Sequence, residues 1–325
     1  MNHAHRFERG SAIISIDTER IWGHFDLLSP QQFESRFRNA PGIHDRLLNL
    51  LSREGIPATW TLVGALTLPA AEGSADRRFS GTPRYWAERI PAGNERTQPL
   101  WYARSFVQRL QRARPPQDLG MHGGISHLVW GDPRTSASVA AFELGSGMEA
   151  LREIGIEARS FVFPRDLEAH HVILRDGGIR CYRGRAPILS ERLGLNLAGS
   201  LARAAEEVCR LVPPPVWPEE VIPGLWNVPA SMSIYCLGAT RTRFVPAKLR
   251  LQRLKLGLDA AARQRGIFHL AMHPENLAES DFAFPVFESM VHEICRRRDR
   301  REIETLTMNG AVERVAGGFC ERVRV

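Results

Sequence analysis

The sequence predicts an α/β domain built on a mainly parallel, barrel-like sheet. Short β-rich apolar runs alternate with amphipathic helical segments seven or eight times along 325 residues, the pattern of parallel strands joined by crossover helices. No Gly-x-Gly-x-x-Gly turn follows the first strand and no Walker-type Gly-Lys-Ser/Thr loop occurs, which removes the nucleotide-binding sheets that share this alternation. The length suits one barrel-like domain over 1–325 better than two ordinary ones.

The elements follow in order. SAIISID (11–17) is a buried strand ending in an acid. HDRLLNLLSREG (44–55) repeats Leu at helical spacing and stops at Gly55. IPATWTLVG (56–64) is a second strand, and 67–99, rich in Gly, Pro, Ser and charge, reads as a loop or lid insertion. A helix over 101–113 precedes the strand DLGMH (118–122), and a helix over 135–154 precedes the strand ARSFVFP (158–164). A helix (167–178) and a strand (179–184) follow. Proline-dense 185–222 breaks the rhythm as a second insertion. A strand (225–235), a long basic helix (247–266), a strand (267–273), a helix (284–298) and a strand (302–308) complete the chain.

Composition excludes several function classes. The net charge of +7 comes from 43 basic and 36 acidic residues. The dense basic stretches, 241–255 and RRRDRR at 296–301, are not interleaved with aromatics as a single-strand-binding surface would be. Nucleic acid is therefore not an expected partner, and the basic stretches read as solvated helix faces, with peripheral contact to an anionic membrane or phosphate carrier as the alternative. No apolar run is long enough to span a bilayer, and the N-terminus lacks the apolar core of a secretory signal, so a cytoplasmic location is expected. The five cysteines are widely spaced without Cys-x-x-Cys, which argues for buried free thiols over a disulfide framework.

Chemistry gathers at the C-terminal ends of strands in an α/β barrel, and there the sequence places Asp17 and Glu19, His122 with His127 just beyond, Arg165, and His273 followed by Asn276. Singly, each has a plain reading: a helix cap, surface histidines beside a glycine turn, a structural ion pair, a histidine bonded to buried backbone. Jointly they supply metal-assisted hydrolysis. Histidines and a carboxylate hold a divalent cation, zinc first, with a position open for water; a second carboxylate takes a proton from that water and a histidine protonates the leaving group. Asp17 or Glu19 with His122 and His127 would hold the metal, the other acid would be the base, His273 the acid, and Arg165 would orient the base. Trp22 and Trp130, near these motifs, and Asn276 are the candidates for holding substrate.

AIISIDTE, GIPATWTLVG, DLGMHGGISH, SFVFPRD and HLAMHPENL, in this order across roughly 11–308, resemble the motifs of the polysaccharide deacetylase family, carbohydrate esterases of the chitin-deacetylase type. The resemblance implies a distorted, incompletely closed (β/α) barrel of about seven parallel strands and metal-dependent removal of an N-acetyl group from a sugar or glycoconjugate. It implies Asp17 as base, Glu19, His122 and His127 as metal ligands, Arg165 as the residue orienting the base, and His273 as acid. Three departures stand out: Thr18 replaces the second of two adjacent aspartates, the histidines are spaced i, i+5 instead of i, i+4, and the arginine follows the proline. The alternatives are a C–N hydrolase acting on a small non-sugar amide and a catalytically degenerate glycan-binding relative.

Overall fold

The computed structural model describes residues 7–37, 40–194, 197–234 and 245–322. The main sheet contains β1 (Gly10–Thr18), β2 (Thr59–Leu62), β3 (Asp118–His122), β4 (Ser160–Val162), β5 (Cys181–Arg183), β6 (Glu219–Ile222), β7 (Leu225–Asn227), β8 (Met232–Ile234), β9 (Ile267–Met272) and β10 (Ile303–Leu306). Their order is β8-β9-β1-β2-β3-β4-β5-β7-β6, with β10 beside the N-terminal half of β1. Among the described residues, β6 and β7 form the one antiparallel pair of this sheet.

β7 and β8 are two halves of one extended stretch. Its first half pairs with β5; Val228 N–H then donates to the Tyr182 carbonyl (2.8 Å) and Ala230 N–H to that of Gly184 (3.0 Å). At Ser231 the stretch changes neighbour: its N–H donates to the His269 carbonyl of β9 (2.8 Å), and Met232–Ile234 continue along β9. The two ends of the sheet therefore meet at a stave that switches partner halfway, not along a continuous ladder. This is the distorted, incompletely closed barrel, with staves β1, β2, β3, β4, β5, the β7–β8 stretch and β9.

β1 is buried along its whole length, as expected of a parallel strand covered on both faces. Ile14 and Ile16 belong to the large apolar layer that also holds Leu47, Leu51, Leu254 and Leu258 from the outer helices. Ile13 lies in a separate apolar plug with Cys181, Val228, Ile267 and Met308. By strand alternation, Ser15 and Asp17 share the side of Ile13, so the interior passes from apolar to polar towards the strand C-termini. Local chemistry fixes the helix ends. Ser29 and Gln32 form a reciprocal capping box before Pro30–Arg36, and Ala40–Arg53 closes through Ile56 N–H to the Leu51 carbonyl (2.9 Å) across Gly55.

Both insertions are more ordered than their composition suggests. Within 67–99, Ala71–Glu72 pairs with Ala92–Gly93, Phe79, Trp86 and Ile90 are buried, and Trp86 Nε1 donates to the Ser126 carbonyl (2.9 Å). Within 185–222 lie helices Leu189–Leu193 and Leu197–Val208. Residues 241–244 of the basic stretch 241–255 lie outside the described residues; 247–255 lie in helix Ala247–Gln264, where Arg250 and Arg253 are buried instead of solvated. Cys181 and Cys295 are buried free thiols, whereas Cys209 is exposed. No helix among the described residues is long and apolar enough to cross a membrane.

Candidate metal centre and active site

Five of the side chains expected from the sequence converge at the C-terminal rim of the barrel. Glu19 Oε2 lies 2.9 Å from His122 Nε2 and 3.0 Å from His127 Nε2, and the two imidazole nitrogens are 3.1 Å apart. His122 Nδ1 faces the Val162 carbonyl at 3.0 Å, which fixes that nitrogen as the donor and aims the Nε2 lone pair inward. Three lone-pair donors thus meet in a nearly equilateral triangle, a repulsive arrangement unless a proton or a cation sits between them.

The charge states point the same way. Burial opposes ionisation of Glu19, but His273, His127 and His122 outweigh it and hold the carboxyl well below its ordinary range. His127 is pushed down to about 4 by burial and by His122. His122 is held above its ordinary value, against burial, by Glu19 and Asp17. A proton on His122 and a metal ion are alternative occupants of one position. Tetrahedral zinc, at about 2.0–2.1 Å from each ligand, requires donors about 3.3–3.4 Å apart; the triangle is within a few tenths of an ångström of that. Asp17, His122 and His273 form a second possible ligand group, but Asp17 is already engaged elsewhere and His273 is 38% exposed.

Asp17 is clamped by an arginine, though not by Arg165. Arg183, at the end of β5, donates Nη1 to Oδ1 and Nη2 to Oδ2 of Asp17, both at 2.7 Å. Thr61 Oγ1 donates to Oδ1 at 3.2 Å. Burial works against the Asp17 charge, yet Arg183, His273 and His122 keep the carboxyl below its ordinary range. Arg165 pairs with Asp26 instead, and its charge helps to hold His127 down; its φ of 58° lies inside the Pro164–Asp166 turn. That motif reaches the centre through Asp166 instead, 3.4 Å from Arg183. His273 Nε2 sits 3.4 Å from Asp17 Oδ2 and 3.6 Å from Glu19 Oε1, the most accessible of the group.

The expected substrate contacts are not brought to the site. Trp22 and Trp130 are fully buried, and their indole N–H groups donate to the carbonyls of Trp101 (2.7 Å) and Gly123 (3.2 Å), so neither offers a face to a sugar. Asn276 is largely buried and donates to the Ile234 carbonyl at 2.6 Å. Arg183 was missed although it also ends a strand, in RCYRG. Glu143 was missed because nothing in a helical sequence marks a residue that holds a distant loop. Its carboxylate accepts from Ser126 N–H (3.0 Å), Ser126 Oγ (2.9 Å) and Thr82, and its carbonyl accepts from Ile125 N–H (2.9 Å). It thereby fixes the loop that presents His127.

Burial pushes Glu143 up to about 7, against the donors from Thr82 and Ser126. A folded pKa above the unfolded one stabilises below the unfolded value, and that contribution is lost as pH rises through 7. In Glu143→Gln the amide keeps the donor and acceptor of the neutral acid and does not ionise. Between pH 5 and 8 the wild type should lose about 2–3 kcal/mol relative to Glu143→Gln, measured by urea unfolding of chelator-treated protein. Parallel pH profiles would show that Glu143 does not titrate in this range.

No family model and no curated protein matches the chain. Solved structures do. One described as a polysaccharide deacetylase from Mycobacterium smegmatis is 16% identical, with a TM-score of 0.60 over 94% of this chain and 90% of that one. Another so described, from Pseudomonas aeruginosa PAO1, is 9% identical, with a TM-score of 0.58 over 94% and 90%. A 4-alpha-glucanotransferase from Thermococcus litoralis is 13% identical, with a TM-score of 0.53 over 94% of this chain but 40% of that one. The chain has the distorted barrel fold of structures described as polysaccharide deacetylases, a fold it also shares with part of a glucanotransferase.

Proposed function

We propose that this protein is a metal-dependent hydrolase that removes an N-acetyl group from a sugar or sugar-containing precursor. The observation that carries the reading is the Glu19–His122–His127 triangle beside an arginine-clamped Asp17 and an accessible His273. A divalent ion bound by the triangle, zinc first, would polarise the amide carbonyl and acidify a water. Asp17, aimed by Arg183 and kept ionised, takes the proton from the water as its oxygen bonds to the carbonyl carbon. His273 gives a proton to the nitrogen as the C–N bond breaks, leaving acetate and an amine.

The proteins sharing the fold, described as polysaccharide deacetylases and a glucanotransferase, support a carbohydrate substrate. They do not choose between amide and glycosidic bonds, but the site favours the amide. A glycosidase of the usual type leaves two carboxyls free to flank the scissile bond, whereas Asp17 is clamped by Arg183 and Glu19 is held between His122 and His127. The free thiols of Cys181, Cys209 and Cys295 fit a reducing compartment, consistent with a cytoplasmic precursor.

Elemental analysis of the wild type beside His122→Ala and His127→Ala tests the centre. About one divalent ion per chain is expected in the wild type and a loss of at least tenfold in affinity in each variant, with acetate release from N-acetylglucosamine oligomers lost in parallel. A wild type that takes up no ion after incubation with zinc, cobalt, nickel or iron would leave the degenerate glycan-binding reading in front. Metal uptake with acetate released only from non-sugar amides would favour the small-amide reading.

The two arginines separate cleanly. Arg183→Lys keeps the charge but loses the two-pronged clamp, and kcat for acetate release should fall about 100-fold or more. Arg165→Ala should stay within about threefold of wild type, because Arg165 pairs with Asp26 while Asp17 is held by Arg183. The reverse pattern would return the orienting role to Arg165.

A further inference from the structure

Helix Leu197–Val208 is built inside out. Its buried positions are Gly199, Arg203, Glu206 and Glu207, whereas Leu197, Leu201 and Val208 are 57%, 54% and 55% exposed. At about 100° per residue these three fall within about 40° of one stripe, and Leu189 and Leu211 on the flanking segments are exposed as well.

The inward charges all have partners. Glu206 accepts from Ser190 N–H (2.9 Å) and Oγ (2.7 Å) and pairs with Arg253 (3.4 Å). Glu207 pairs with Arg250 (3.3 Å) and Arg203 with Glu191 (3.8 Å). Burying ion pairs while leaving leucines in water is an unfavourable exchange for a helix in solvent, so the exposed stripe calls for a cover.

The surrounding charge identifies that cover. Within 185–212 the acids Glu191, Glu206 and Glu207 are buried, and the exposed charges are Arg185, Arg192 and Arg210. An apolar stripe whose own segment exposes only cations is complementary to an anionic lipid surface, in which leucines enter the boundary of the acyl region and arginines meet phosphates. A second copy of the chain fits less well, because two-fold pairing across this face would set the same arginines against each other on a chain of net charge +7.

We propose that the outward face of helix Leu197–Val208 docks on an anionic lipid bilayer. The segment leaves the sheet just after Arg183, so docking anchors the rim of the barrel that carries the candidate centre. The inference rests on the helix and its charges, not on the proposed activity.

Co-sedimentation with phosphatidylcholine vesicles containing about 30 mol % phosphatidylglycerol tests this with the full chain. The wild type should pellet with them, and several-fold less with phosphatidylcholine alone or in high salt. The triple variant Leu197→Gln, Leu201→Gln, Val208→Gln should bind about tenfold less, and Arg192→Gln with Arg210→Gln several-fold less. Both should keep wild-type circular dichroism and melting, since the changed side chains face solvent. A wild type that stays in the supernatant with both vesicles overturns the proposal, as does a well-folded triple variant that pellets undiminished. A dimer in light scattering that the triple variant abolishes, without vesicle binding, would assign the face to a second copy and overturn it equally.

Discussion

The buried pair between Asp17 and Arg183 is the constraint on which the site depends. Asp17 is on β1 and Arg183 on β5, four positions apart in the sheet order. In a flat sheet that separation is about 19 Å at about 4.8 Å per strand; here two hydrogen bonds of 2.7 Å span it. Only a curled sheet permits this. Removing two ions from water costs several kcal/mol each, so the pair is tenable only where every remaining donor and acceptor is placed. Arg183 reaches Ser15 Oγ (3.1 Å) and Asp166. The Ser15 hydroxyl also lies 2.9 Å from His269 Nε2, and His269 Nδ1 lies 3.0 Å from the Pro229 carbonyl. The network assigns the protons: Nδ1–H donates to Pro229, Nε2 accepts from Ser15, and the Ser15 lone pair is left for the guanidinium. Burial and Arg183 hold His269 down at about 3, so it stays neutral in that role.

The same strand explains why Thr18 does not disrupt the centre. Adjacent residues of a strand point to opposite faces, while i and i+2 share one. Asp17 and Glu19 therefore open on the same side, one to the arginine clamp and one to the histidines. Glu19 lies just beyond β1, where its carboxylate closes over Gly23: a Cβ at Gly23 would be 1.9 Å from Glu19 Oε1. An acid one residue later, on a longer side chain, reaches the triangle because that space has been left for it.

What was legible in the sequence follows from this geometry. Strand ends can be read from apolar periodicity, and Asp17, Glu19, His122, His127 and His273 were found that way and do come together. Which arginine turns inward is decided by backbone geometry that periodicity does not encode. Arg165 sits in a left-handed conformation within a proline turn and faces Asp26; Arg183 ends a three-residue strand and points inward. The tryptophans misled for a related reason. Their proximity to the motifs in sequence reflects the core packed beneath the rim, where Trp22 meets Phe25, Phe79 and Trp101. The inverted helix Leu197–Val208 escaped notice because its buried charges find partners, Arg250 and Arg253, in a different helix.

The stretched histidine spacing is the remaining departure, and it has a local mechanical cause. Between His122 and His127 the chain turns through left-handed conformations at Gly123 (φ 70°) and Gly124 (φ 94°) and ends with His127 itself at φ 60°. Any side chain at 124 would collide with the Glu143 backbone, its Cβ only 2.7 Å from that carbonyl oxygen. A histidine held left-handed is strained by about 1 kcal/mol or more and persists only where its surroundings determine it. They do so from two sides: Gly64 and Ala65 N–H donate to the carbonyls of Gly124 (2.9 Å) and Ile125 (3.0 Å), and Glu143 grips Ser126. The extra residue thus becomes a turn pinned between the end of β2 and helix Ala137–Arg152, and it delivers the second imidazole to within 3.1 Å of the first. The three groups are thus held in register by the backbone and by Glu143 as well as by one another, so the triangle would be organised before any cation bound.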